Sequence, residues 1–110
     1  MPWLHYVSYF FGGAFLTNAI PHLVPGLTGR AFQSPFAKPT GRGLSSSTVN
    51  VRWAFFNLVV VYVPICRVGA FDPRAMADVV PAGLGILVMS LVSARGFGRF
   101  YGGNAPEQSA

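Results

Sequence analysis

Three long apolar runs set the pattern of this chain: Trp3–Val24, Val51–Phe71 and Ala75–Ala94, divided by polar or Gly/Pro-rich links. Each is close to the roughly 20 residues a helix needs to cross the ~30 Å hydrocarbon core of a bilayer. The second run is rich in Val and aromatic residues and can be read as a strand. An unpaired strand in hydrocarbon would leave its backbone polar groups unsatisfied, so the pattern predicts helices throughout. The expected fold class is all-α: a three-helix transmembrane bundle forming a single integral membrane domain over residues 1–110, with spans at about 3–24, 51–71 and 75–94.

Local signals refine this picture. Trp3, Tyr6 and Tyr9 sit near the start of the first run, where an aromatic belt meets the membrane–water boundary. Gly12, Gly13, Ala14 and Thr17 form a small-residue patch that lets a second helix approach closely. Pro21 removes a backbone donor, which predicts a kink or stop around Asn18–Pro25. The link 26–50 is rich in Gly, Pro and Ser but also carries Phe32 and Phe36, the composition of a loop lying on a membrane surface. Ser45, Ser46, Ser47 and Thr48 offer N-caps for the second helix, and Asp72-Pro73 reads as the cap and first position of the third. Asp78 then falls in its second turn, near the interface. Residues 96–110 read as an interfacial anchor (Phe97, Arg99, Phe100, Tyr101) followed by a polar tail.

Composition agrees with a membrane chain: hydrophobic residues make up 52%, aromatics 15% and charged residues only 10%. The N-terminus lacks the basic region of a secretory signal, so the first segment is expected to be retained. A net charge of +5 could point to nucleic acid, but the basic residues are scattered at segment ends and form no stripe. Anionic lipid headgroups are the expected partner instead, with Arg52 and Arg95 as headgroup contacts. Arg30, Lys38, Arg42, Arg52, Arg95 and Arg99 fall on one side of the expected topology and only Arg67 and Arg74 on the other. That asymmetry predicts the first link and C-terminus in the cytoplasm and the N-terminus outside.

Polar residues inside spans tend to face other helices or water. Asn18 and His22 are four apart on one helix face, and Asn50, Trp53 and Asn57 share a face of the second helix. The up-down-up topology brings these residues, together with Ser90 and Ser93 of the third, to one end of the bundle. The expected cluster is Asn18, His22, Asn50, Asn57 and Ser90, with Arg52 and Arg95 nearby. Such groups serve either as interhelical hydrogen bonds or as the wall of a ligand or headgroup pocket. Mutual hydrogen bonding is the expected outcome.

Catalytic signatures are missing. The chain has no His-Glu-x-x-His, Gly-x-Ser-x-Gly or Cys-x-x-Cys, and no span centre carries a carboxylate. The lone Cys66 excludes an internal disulfide and reads as a packing residue. His5 and His22 lie about 25 Å apart by helical rise and cannot share a metal within one subunit. No enzyme activity, cofactor or metal is expected. A haem held by His22 has nothing to support it.

Asn18-Ala-Ile-Pro-His22, Gly29-Arg-Ala-Phe-Gln-Ser-Pro-Phe-Ala37, Gly41-Arg-Gly-Leu-Ser-Ser46, Asn50-Val-Arg-Trp53 and Asn57 occur in this order. This stretch resembles a family of small, uncharacterised bacterial integral membrane proteins. The resemblance implies that the first link and its flanking Asn and His residues act as one unit; it brings no activity with it. Three helices are too few to enclose a solute pathway and still pack one another, so function requires partners. The expected role is a non-catalytic accessory or structural subunit of a bacterial inner-membrane complex, in contact with lipids and with other membrane subunits. The alternative is a homo-oligomeric small-solute channel or transporter, with copies of this chain lining a pore by the Asn/His face.

Overall fold

The three runs fold as three helices in the computed structural model, which describes residues 2–103: α1 (Pro2–Leu27), α2 (Ser47–Tyr62) and α3 (Met76–Tyr101). Between α1 and α2 the chain forms two short antiparallel strands, β1 (Phe32–Gln33) and β2 (Leu44–Ser45), pairing Phe32 with Ser45 and Gln33 with Leu44. α2 continues into a wider π turn, Val63–Arg67, at Pro64. Pro64 has no N–H to donate to the carbonyl four residues back, and Val63 donates to Val60 instead, so the ladder loosens there.

α1 is the middle helix. It packs along both α2 and α3, while those two make almost no direct contact with each other. Its centre approaches α3 through glycines. A Cβ built on Gly13 would run into the carbonyl of Ala82, and one on Gly85 into the carbonyl of Phe10. Gly12 faces the Ile65 side chain, and Gly26 brings the end of α1 against Ser47 and Val51 at the start of α2. The small-residue patch is thus used inside the chain, whereas Gly83 has nothing within 4 Å.

Several boundaries differ from the sequence expectation, each for a local reason. α1 does not stop at Pro21 or Pro25 but at Gly29, whose φ of 75° closes a left-handed cap. There Arg30 N–H bonds to the Pro25 carbonyl (2.8 Å) and Gly29 N–H to that of Gly26 (3.2 Å), which satisfies the carbonyls that the helix end exposes. α2 begins one turn early, capped by Ser46, whose hydroxyl accepts from Val49 N–H at 3.2 Å. α3 begins at Met76 rather than after an Asp72 cap. Asp72 instead turns its own loop by accepting from Arg74 N–H, and Asp78, in the first turn, accepts from Asp72 N–H. α3 also runs through the expected tail to Tyr101, ending at Gly102 (φ 75°). The polar tail beyond residue 103 lies outside the described residues.

Two helices are long and apolar enough to cross a membrane: Ser47–Arg67 and Met76–Tyr101. The first of the three expected spans is not among them, because α1 has the length but is not apolar enough. His5, Asn18 and His22 dilute it, and a helix flanked on both sides by its own chain can carry such residues where protein meets protein.

Burial is inverted relative to a water-soluble domain. The buried apolar residues are Tyr9, Ala14, Ala19 and Ala54, whereas His22, Gln33, Ser34, Ser45, Asn50 and Asn57 are all buried. On α2 the buried stripe is Asn50, Ala54 and Asn57, and Phe55, Phe56, Val59 and Tyr62 point outward.

Candidate functional site

The buried polar residues gather at one end of the molecule, where the C-terminal half of α1, the start of α2, the end of α3 and the β1–β2 hairpin meet. Asn50 is its organising residue and is fully buried. Its Nδ2 faces three carbonyls, those of Phe32 (3.1 Å), Ser45 (3.2 Å) and Ser46 (3.1 Å). One amide thereby ties both strands of the hairpin to the first turn of α2. With Nδ2 so committed, Oδ1 is the atom that meets His22 Nδ1, at 2.8 Å. That contact requires Nδ1 to carry the proton, which leaves Nε2 as an acceptor.

One turn further along, Asn18 Nδ2 donates to Asn57 Oδ1 at 3.1 Å, and Asn57 Nδ2 donates to the Trp53 carbonyl at 2.8 Å. The four residues expected to cluster therefore form two α1–α2 pairs, Asn18 with Asn57 and His22 with Asn50. Ser90 is not brought to them: it is exposed on α3 and takes no part in these bonds. Ser93 lines an adjoining cavity, and Arg95 is exposed. Arg52, also exposed, lines an open apolar groove of about 650 Å³ with Phe36, Trp53 and Phe56.

The link folds over this end of the helices as a lid with a polar underside. Ser34 and Ser45 hydroxyls meet at 2.6 Å across the hairpin, and Ser34 Oγ also accepts from Phe36 N–H at 3.1 Å. Around His22 stand three rings, Phe32, Phe97 and Trp53, each roughly perpendicular to the imidazole with centroids 5.6, 6.1 and 6.4 Å away. Phe32 in turn packs on Phe97 at 4.7 Å and lies parallel to Tyr101 at 5.9 Å. Tyr101 OH donates to Gln33 Oε1 at 2.9 Å, so the last turn of α3 is latched to the hairpin. The sequence reading did not anticipate this clamp. Its signal was present in the spacing Phe97–Tyr101, four apart on one face.

The latch can be tested alone. Tyr101→Phe keeps the ring and removes one hydrogen bond, a loss of about 1 kcal/mol. The hairpin should open more often, and tryptic cleavage after Arg42 should accelerate by about fivefold.

Among the described residues, no buried side-chain nitrogen or oxygen lacks a hydrogen-bond partner. The cluster is thus a closed network of neutral groups. It holds the hairpin on the helices and contains no nucleophile paired with a base. Beside it are two adjoining cavities. The inner one, about 250 Å³, is lined by Asn18, His22, Ser34, Trp53 and Phe97 among others; the outer one, about 450 Å³, extends along α3 to Arg42 and Arg99. Comparison with known proteins adds no relative: no protein-family model, curated protein or solved structure matches this chain.

Proposed function

We propose that the protein is a non-catalytic structural or accessory subunit of a bacterial inner-membrane assembly. The observation that carries this reading is the inverted α2, whose buried stripe is Asn50, Ala54 and Asn57 while its Phe and Val side chains face outward. Such a helix suits hydrocarbon outside and hydrogen-bonded protein inside. α3 supports the same reading, since Gly85 is buried against α1 while Leu84, Leu87, Leu91 and Val92 are exposed. In this proposal α1 crosses between them as a third, protein-shielded span. The basic residues of the link and of the end of α3 then lie on the cytoplasmic side, with the N-terminus outside.

The non-catalytic part rests on the polar cluster, in which Asn18 pairs with Asn57 and His22 with Asn50, and no nucleophile is paired with a base. The same fact weighs against a channel formed by copies of this chain. Asn18, His22, Asn50 and Asn57 would have to leave their partners between α1 and α2 to line a pore. Purification in mild detergent followed by native mass spectrometry is expected to return the 11.8 kDa chain with a stoichiometric unlike partner. Recovery of the chain alone, or only with copies of itself, would sink the subunit reading. Solute flux through the pure protein in liposomes would favour the channel.

A further inference from the structure

We propose that the cleft between the β1–β2 loop and the C-terminal half of α3 binds one anionic phospholipid with a hydroxyl-bearing headgroup. Its phosphate would lie between Arg42 and Arg99, and an acyl chain would run along Met89 and Val92. The inference rests on the membrane placement proposed above but not on the subunit role.

Four observations carry it. First, the two cavities adjoin: Asn18, Gly41 and Phe97 line both, and one is lined by His22 while the other is lined by the two arginines. Second, the outer cavity changes character along its length. Arg42, Arg99 and Ser93 supply donors to its lining, and Met89 and Val92, roughly two to three turns before Arg99 on α3, supply apolar surface. That surface continues into the exposed apolar face of α3 at Val88, Leu91 and Val92. A molecule with a charged head and an apolar tail matches both parts, whereas a free anion would use only the first.

Third, two guanidinium groups from distant parts of the sequence line one cleft with no carboxylate among the described residues to balance them. Asp72 and Asp78 are at the opposite end, with Asp78 about 30 Å from Arg99 by helical rise. Both are exposed and line the same cleft, and arginines so placed suit the oxygens of a phosphate. Fourth, His22 lines the inner cavity and is only 3% exposed, with Nδ1 committed to Asn50. With Nδ1 carrying the proton, its Nε2 is the ring nitrogen that can accept a hydrogen bond. A headgroup hydroxyl is a donor of the required kind, whereas a choline headgroup has none to offer.

Trp53 lines the inner cavity, and in a Trp3→Phe variant it is the only tryptophan, so its fluorescence reports on the site. The full-length protein in neutral detergent would be titrated with phosphatidylglycerol, phosphatidylcholine and inorganic phosphate. A saturable response is expected for phosphatidylglycerol at one lipid per chain, with phosphatidylcholine far weaker and phosphate alone silent. Arg42→Gln with Arg99→Gln should weaken phosphatidylglycerol binding by about tenfold or more, the scale for two interfacial charges. Arg67→Gln with Arg74→Gln removes the same charge from the other end and should leave binding unchanged.

Gly96→Leu gives a check that keeps every arginine. Gly96 lines the outer cavity, and an added Cβ meets nothing within 4 Å, so the variant should fold and block the cleft. Equal response to the two lipids, equal loss in both double variants, saturation by phosphate alone, or undiminished binding by Gly96→Leu would each overturn the proposal.

Discussion

Asn50→Ala should be the most damaging single substitution at the polar end. It removes the donor to the Phe32 and Ser45 carbonyls and the acceptor for His22 Nδ1, all made by a side chain that is fully buried. Each buried group left unpaired costs about 1–3 kcal/mol, so a total of about 3 kcal/mol or more is expected. Asn50→Asp would fare no better. It keeps the shape and the acceptor, but its carboxylate cannot donate and places charge against two carbonyls. The measurement is the unfolding midpoint in a denaturing-detergent titration, followed in parallel by tryptic cleavage after Arg42 as a report on the hairpin. Ser90→Ala is the control, because Ser90 is exposed and outside the network. A shift for Ser90→Ala as large as that for Asn50→Ala would mean that the cluster is not where the stability resides.

Asn50 also marks what could and could not be read from the sequence. The pairing of α1 with α2 was legible, because an intramembrane asparagine needs a partner and the spacing puts Asn18 with His22, and Asn50 with Asn57, on single faces. The role of Asn50 as anchor of a hairpin was not. Two-residue strands leave no periodic signal, and the acceptors that fix them are backbone carbonyls, which carry no sequence identity. Ser45 reads from the sequence as one of four candidate caps of α2, and its bond to Ser34 across the hairpin is invisible for the same reason.

Helix ends failed where two signals competed. Pro21 and Pro25 looked like stops but are tolerated, and the αL glycine at Gly29 sets the end of α1. At the other end of the chain, Gly96 and Gly98 lower helix propensity and suggested a tail. The ring contacts of Phe97 and Tyr101 with Phe32 outweigh that loss and carry α3 to Tyr101. Ser90 was misplaced because topology alone brings a helix end to a site without fixing its rotation. The rotation of α3 is set instead by Gly85 against Phe10 and Gly13 against Ala82; both glycine patches read as helix contacts from the sequence, but not which residue each would meet.

That packing yields the sharpest test of the helix arrangement, a comparison of two glycines two residues apart on α3. Gly85→Leu places a side chain against the Phe10 carbonyl and the Ala14 backbone, where no flexible group can yield. α3 must then move off α1, at a cost in the range of core overpacking, about 1–3 kcal/mol or more. Because α3 is otherwise held mainly by its clamp on the hairpin, the displacement should also separate Phe97 and Tyr101 from Phe32 and expose the link to protease. Gly83→Leu makes the same chemical change about 200° around the helix, where nothing lies within 4 Å. It should leave the unfolding midpoint within about 0.5 kcal/mol of wild type. Equal destabilisation by the two leucines would refute a rotation of α3 that sets Gly85 against the α1 backbone and leaves Gly83 beside open space. A neutral Gly83→Leu that also abolished recovery of an unlike partner would place the subunit contact at the cavity that Gly83 lines with Gly12, Gly13 and Leu16 of α1, since a side chain at Gly83 meets nothing of the fold itself within 4 Å.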